Sequence, residues 1–150
     1  MRHHTVCRLF LDSSALFTGI VSTKGAARAL LLLAETGNIT LTISEQVVTE
    51  TERVIARKAP RALSDFRQAI LASKAQIVRD PSPEEVKKNL HLISHAAGVP
   101  IVLAAMKAKV DYLVTNNRKH FIDDPDVAVE AGLSIGTPGE VLKWVQGKLQ

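Results

Sequence analysis

The stretch Val6-Cys7-Arg8-Leu9-Phe10-Leu11-Asp12-Ser13-Ser14 decides the fold of this chain. A mainly apolar run ends at an acid, Asp12, which is typical of a buried strand whose carboxyl end opens onto a ligand crevice. A carboxylate at that position is a candidate metal ligand or base. The alternative is structural, since Asp is a common N-cap and a helix is predicted to start near Ser14. Asp12 is therefore the first candidate site residue.

Strand-like apolar segments alternate with helical patterns along the rest of the chain. Further strands are predicted at Asn38 to Ile43, Ala75 to Val78, Tyr112 to Thr115 and Leu133 to Gly136. Apolar spacing, caps and prolines predict helices between them, at 26–34, 44–58, 61–73, from 82 onward, 101–109 and 139–147. Such alternation is the signature of βαβ units. We therefore expect an α/β protein, a three-layer α/β/α sandwich around a central, mainly parallel, Rossmann-like sheet.

Length, charge and cysteine content narrow the class of protein. A chain of 150 residues suits one domain that spans 1–150. Nineteen Lys and Arg against fifteen Asp and Glu leave a net charge of +4, which permits a polyanionic partner without requiring one. The single cysteine, Cys7, cannot form an internal disulfide, and no apolar run reaches the roughly 18 residues of a membrane span. We expect a cytoplasmic protein with no membrane contact.

The helix that Ser44 is predicted to cap offers a second acid to accompany Asp12. Glu45, Glu50 and Glu52 all lie in this helix. At about 100° per residue, Glu50 and Glu52 flank opposite sides of the apolar face, and Glu45 lies further round. The helical spacing does not choose between Glu50 and Glu52, and either could be an ordinary solvated glutamate.

Polar residues after a later strand are expected at the same edge of the sheet as Asp12. Thr115 ends that strand, and Asn117 follows it. The Thr115 and Ser13 hydroxyls could orient Asp12 or a water, and their alternative roles are those of cap and turn residues. The run Arg118-Lys119-His120 could contact phosphates at the mouth of the crevice, whereas a solvated basic loop is the competing interpretation.

Other chemistries receive less support from the sequence. His91 and His95 stand at positions i and i+4 of the helix predicted after Ser82, a spacing that can present two imidazoles to one Zn²⁺. Without a third ligand nearby, an ordinary helix face is the competing interpretation. The serines and histidines show no spacing that identifies a nucleophile and its base. No Gly-rich phosphate loop is present, so no nucleotide cofactor is expected.

Several segments, taken in order, resemble the PIN domain family. They are Leu11 to Leu16, Ser44 to Glu50, Ile101 to Ala105 leading to Asp111 to Thr115, the late Phe121, and the closing Gly136 to Leu142. The resemblance implies a Rossmann-like α/β/α sandwich and, in active members, Mg²⁺- or Mn²⁺-dependent cleavage of RNA by an acidic cluster. It also matches Asp12 to the family's first acid and Glu50 to its second.

The chain departs from the family pattern at two acids. The third usually stands thirteen positions before the residue that is Asp111 here, and that place is Gly98. The fourth usually lies two residues after Thr115, where this chain has Asn117. An Asn can offer a carbonyl oxygen to a metal but adds no charge, and a Gly offers only backbone. Downstream acids could substitute, although a solvated turn is their ordinary role; they are Asp123, Asp124 and Asp126.

The resemblance implies a metal-dependent ribonuclease that is weakened by its missing acids. Asp12, Glu50 and Asn117 would hold Mg²⁺ or Mn²⁺, and RNA would be the main partner. The alternative is the same fold with a degraded site, which binds RNA or a protein without turnover. An antitoxin protein and a second copy of the chain, as a homo-oligomer, are the further partners that the family implies. A phosphoacceptor receiver domain would need paired acids after the first strand, where Asp12 is followed by serines.

Overall fold

One parallel sheet organises the computed structural model, which describes residues 6–149. Its strands are β1 (Cys7–Leu11), β2 (Ile39–Ser44), β3 (Gln76–Val78), β4 (Tyr112–Val114) and β5 (Ser134–Gly136). They lie in the order β3-β2-β1-β4-β5, and every neighbouring pair is parallel. From β1 the chain adds β2 and then β3 on one side of that strand. It then crosses to the other side of β1, where β4 and β5 follow. The crevice of such a sheet opens at this reversal, beyond the carboxyl ends of β1 and β4.

Helices cover both faces of the sheet, which confirms the predicted three-layer α/β/α fold. Their bounds are α1 (Ser13–Val21), α2 (Ala26–Glu35), α3 (Glu45–Lys58), α4 (Leu63–Ala72), α5 (Pro83–Lys88), α6 (Val99–Ala108), α7 (Pro125–Ala131) and α8 (Pro138–Leu149). Short 3₁₀ turns occupy 60–62, 90–92 and 96–98, and a π-helical turn spans Arg118–Ile122. Within residues 6–149 no single helix has the length and apolarity to cross a membrane, although α1 and α2 pass that criterion together as a pair bent by 87°.

The central strand β1 is buried because it has neighbours on both edges and helices on both faces. Leu9, Phe10 and Leu11 are fully buried in it. Leu11 pairs with Val114 of β4, and the backbone N–H of Asp12 donates to the Val114 carbonyl at 3.1 Å. This register places Asp12 at the end of β1 beside the residue that follows β4.

One local prediction is wrong, and a second feature is more ordered than the sequence indicated. No helix continues through His91 and His95, because α5 ends at Lys88. His91 lies in the 3₁₀ turn at 90–92 and His95 precedes the turn at 96–98, so the helical spacing proposed for Zn²⁺ does not exist. The acids around Pro125 do not form a plain turn either. Asp124 accepts a hydrogen bond from the Asp126 N–H as the N-cap of α7, whose first position is Pro125.

Candidate functional site

Asp12, Glu50 and Asn117 line one pocket of about 160 Å³ beyond the carboxyl ends of β1 and β4. Each comes from a different part of the chain. The remaining lining residues are Ser13, Ser14, His95, Ala97, Gly98, Ile101 and Phe121. A larger cavity of about 490 Å³ lies between Val78 and Lys107, but its Lys107 and Glu85 already pair with each other at 2.9 Å. The smaller pocket is therefore the one that brings together polar side chains able to bind a ligand.

Asp12 is buried and serves as the N-cap of α1. Its Oδ1 accepts hydrogen bonds from the Ala15 N–H at 2.9 Å and from the Ser14 hydroxyl at 2.7 Å. Its Oδ2 accepts one from the Thr115 hydroxyl. Asp12 thus caps α1 and also lines the pocket, so the capping role does not exclude the site role predicted from the sequence. Since a carboxylate oxygen has two lone pairs, only Oδ2 keeps one available for a ligand.

Burial raises the pKa of Asp12 above its ordinary value of 3.8. The loss of water around the carboxylate disfavours its charged form, and the hydrogen bonds from Thr115, Ala15 and Ser14 offset part of that effect. A cation in the pocket would favour the charged form. A bound cation would therefore offset part of the cost of burying the charged Asp12 carboxylate.

Thr115 connects Asp12 to the loop that carries Asn117. The Thr115 side chain is fully buried, and its Oγ1 accepts a hydrogen bond from the Asn117 N–H at 2.9 Å while it donates to Asp12. Ser14 makes a parallel link, because its hydroxyl donates to Asp12 and accepts from the Asn116 N–H at 3.0 Å. The sequence had suggested Ser13, which lines the pocket, but Ser14 is the serine bonded to Asp12. The Asp-x-Ser spacing of a side-chain-capped helix start could have indicated this.

Glu50 reaches the pocket from α3. Ser44 is the N-cap of this helix, and its hydroxyl accepts a hydrogen bond from the Val47 N–H at 3.3 Å. Glu50 is half-buried, and its Oε1 accepts from the Gln46 amide at 3.2 Å, whereas Oε2 accepts no hydrogen bond from any of residues 6–149. Glu52 is exposed and does not line the pocket. Helical spacing left both Glu50 and Glu52 open, and the fold brings only Glu50 to the pocket.

Asn117 is the N-cap of the π-helical turn at Arg118–Ile122. Its Oδ1 accepts a hydrogen bond from the His120 N–H at 3.2 Å, so one lone pair of that oxygen is engaged. The side chain is half-buried and faces the same pocket as Asp12 and Glu50. It can offer a neutral oxygen ligand there.

The space around Gly98 is occupied by neighbouring apolar groups. A Cβ at this position would lie 3.0 Å from the Phe121 ring and 3.0 Å from the Ile93 side chain. These contacts are tighter than ordinary packing, so a larger residue at position 98 requires the Phe121 ring or the Ile93 side chain to give by a few tenths of an ångström. The place of the third family acid is therefore crowded by Phe121 and Ile93 as well as lost from the sequence.

The acids downstream of Phe121 do not take the place of the missing third acid. Asp123 lies 3.8 Å from the Arg118 Nε, and Asp124 caps α7. Asp126 is exposed in the first turn of α7. None of the three lines the pocket.

The basic run after Asn117 divides into three environments. Arg118 is paired with Glu140 at 3.3 Å, and Lys119 is exposed. His120 stacks on His95, with ring centroids 3.9 Å apart and an interplanar angle of 12°. Desolvation lowers the pKa of His120 below its ordinary value, and the nearby His95 and Lys119 lower it further. Sequence reasoning missed this pair, because no local signal links two histidines from separate loops.

The donor set fits one hard divalent cation better than two. Asp12 Oδ2, the free oxygen of Glu50 and the Asn117 carbonyl are the oxygen ligands that Mg²⁺ or Mn²⁺ takes alongside waters. Two carboxylates are too few to hold a second ion. Within residues 6–149, no group of three or more His, Cys, Asp or Glu side chains lies together as a metal cluster. The pocket is a polar site at the switch point of a parallel α/β sheet.

The family follows from the sequence match. A PIN domain model matches residues 8–119, and the chain belongs to this family. PIN domains are generally metal-dependent nucleases. Comparison with curated proteins returns no match.

Two solved structures share the fold. One is PAE2754 from Pyrobaculum aerophilum, with a TM-score of 0.64 and 14% identity over 97% of this chain and 99% of that chain. The other is VapBC2 from Rickettsia felis, solved bound to a DNA fragment from their promoter, with a TM-score of 0.59 and 22% identity over 87% of this chain and 98% of that chain. At these identities the likeness concerns the fold alone.

Proposed function

We propose that this protein hydrolyses RNA phosphodiester bonds weakly, with Mg²⁺ or Mn²⁺ held by Asp12, Glu50 and Asn117. The observation that carries the proposal is the convergence of these three oxygen-bearing side chains on one pocket. The family contributes the expectation of metal-dependent nuclease chemistry. The proposal treats residues 1–150 as one cytoplasmic domain with no membrane contact.

The side chains have separate roles in this proposal. Asp12 is held in one orientation by Ser14, Ala15 and Thr115, so its free lone pair needs little reorganisation on binding. Glu50 supplies the second negative oxygen through Oε2, because its Oε1 already accepts from Gln46. When bound, the divalent ion would supply Lewis acidity toward a phosphate oxygen and would favour deprotonation of a water. Arg118, Lys119 and His120 follow Asn117 at the rim, where Lys119 has an exposed cation for a phosphate.

A site with two carboxylates should bind its ion weakly. A divalent ion and one carboxylate about 4 Å apart attract by about 8 kcal/mol at an effective dielectric of about 20, before desolvation. The chain lacks two such partners relative to the full family pattern, because Gly98 and Asn117 carry no charge. Low occupancy and slow turnover follow.

The second candidate function is a binding module without turnover. Packing of Phe121 against Gly98 favours it, since an acid at position 98 would crowd the Phe121 ring. The engagement of most Asp12 lone pairs in hydrogen bonds points the same way. Such a module would bind RNA or a protein partner without hydrolysing RNA.

Protein partners belong to the same proposal. The similar fold of VapBC2, a toxin and antitoxin pair, supports an antitoxin-type protein as one partner of this chain. A second copy of the chain, as a homo-oligomer, is the other partner that we propose from the family.

Incubation of purified protein with single-stranded RNA in Mg²⁺ or Mn²⁺ tests the function. We expect slow cleavage that chelator abolishes and that Asp12→Asn removes. Asp126→Asn is the matched control, because it deletes an exposed acid outside the pocket. Equal cleavage by Asp12→Asn and wild type would contradict the proposed site. RNA binding without cleavage under all metal conditions would favour the binding module.

A further inference from the structure

The stacked pair His95 and His120 borders the pocket that holds Asp12. His95 is exposed and lines this pocket directly. Its ring lies nearly parallel to that of His120, at 3.9 Å between centroids. One ring of the pair is therefore presented to anything that enters the pocket.

The backbones of these residues, rather than their rings, hold the local structure together. The His95 carbonyl accepts a hydrogen bond from the Gly98 N–H at 2.8 Å, and the His120 N–H donates to Asn117. Between residues 6 and 149, neither imidazole makes a hydrogen bond to another group. The rings are free to take part in recognition without disturbing these turns.

The charge around the pair suits a nucleotide. Lys119 precedes His120 and is exposed, with no ion pair among the described residues. The neighbouring Arg118 is neutralised by Glu140 and Asp123. A phosphate can therefore meet a free cation beside the stacked rings, while the Asp12 carboxylate is buried.

We propose that the His95–His120 stack is a platform on which an unpaired RNA base stacks, so that the pocket selects single-stranded RNA. This inference rests on the proposed RNA function of the same pocket. Aromatic side chains, histidine included, recognise splayed single-stranded bases by stacking on their faces. In an A-form duplex those faces are covered by neighbouring base pairs, so the platform gives no advantage to double-stranded RNA.

Binding and cleavage are measured separately to test this. Binding uses an unstructured RNA with 2-aminopurine as the reporter base, because stacking quenches its fluorescence. The protein carries Asp12→Asn in every binding measurement, so that cleavage cannot remove the probe. Variants are His95→Ala, His95→Phe, and His91→Ala as the control, since His91 is an exposed histidine outside the pocket.

The platform predicts that His95→Ala weakens binding of single-stranded RNA by at least about 5-fold and relieves the quenching. His95→Phe restores both, because it keeps a ring that can stack. His91→Ala changes neither, and duplex RNA of equal length binds all variants alike. A merely structural role of His95 would leave the fluorescence of the bound base unchanged.

Several results would overturn the platform. These are unchanged binding by His95→Ala, an His95→Phe variant no better than His95→Ala, or no detectable RNA binding at all. Cleavage assays on proteins that retain Asp12 distinguish the stacking platform from the proposed hydrolysis. Quenched binding without any metal-dependent cleavage defeats the proposed hydrolysis alone, whereas cleavage that is indifferent to His95→Ala defeats the platform alone.

Discussion

The Thr115 hydroxyl donates a hydrogen bond to the Asp12 carboxylate across the seam between β1 and β4, joining residues 103 positions apart. The same hydroxyl accepts from the Asn117 N–H. One fully buried side chain thus fixes the position of two proposed ligands relative to each other. Disturbing it should affect both stability and metal binding.

Replacement of Thr115 by valine should lower the free energy of unfolding by about 1–3 kcal/mol, because the buried Asp12 carboxylate and the partly buried Asn117 N–H each lose a partner. Metal binding should weaken as well. Thr115→Ser keeps the hydroxyl and should lie much closer to wild type. Urea unfolding of the three proteins checks this. Equal stability of the valine and serine variants would show that the hydroxyl has no such role.

Stability should depend on pH through Asp12. Because burial raises its pKa above 3.8, the folded protein holds the Asp12 proton more tightly than the unfolded chain. This contribution is complete below 3.8 and is lost as pH rises through the raised folded pKa. Wild type should therefore gain stability relative to Asp12→Asn as pH falls toward 3.8. The measurement is the difference in Tm between the two proteins across pH.

At neutral pH the same argument predicts a higher Tm for Asp12→Asn without metal. Asn is as good an N-cap as Asp and carries no buried charge. A pH-independent difference in Tm would contradict a buried, charged Asp12.

Enlargement of Gly98 should be costly because of Phe121. Gly98→Ala places a Cβ about 3.0 Å from the Phe121 ring and should lower stability by about 1–3 kcal/mol. In combination with Phe121→Leu, the total loss should be smaller than the sum of the single losses by at least about 0.5 kcal/mol. Additive losses in this double-mutant cycle would mean that Phe121 does not close the site.

Asn117→Asp should tighten metal binding by at least about 10-fold, which is about 1.4 kcal/mol. This is a small part of the attraction between a divalent ion and an added carboxylate. Without metal the variant should be less stable than wild type, because like charges then share the pocket. Gln146→Glu adds the same charge on the exposed surface of α8 and serves as the control. Metal titration by calorimetry distinguishes the two.

The sequence predicted the scaffold of the site better than its details. Asp12 could be identified because a buried strand and a strand-end acid are local signals. Glu50 came from family resemblance, since helical spacing alone did not separate it from Glu52. Both line the pocket in the structure.

The remaining details depend on contacts between distant segments. The packing of Phe121 on Gly98 and the stacking of His120 on His95 have no local signature. The sequence suggests Arg118 as a phosphate contact or a solvated residue, but it pairs with Glu140 from α8. The expected pairing of His91 with His95 on one helix is wrong, because the helix ends at Lys88.

Electron paramagnetic resonance of Mn²⁺ tests directly whether Asp12, Glu50 and Asn117 form a single weak metal site. Free Mn²⁺ gives a strong signal in water that decreases when the ion is bound. We expect a loss of signal that saturates at one ion per chain for wild type and is absent in both Asp12→Asn and Glu50→Gln. Binding that is unchanged in these variants, or no binding by wild type at any metal concentration, would contradict it.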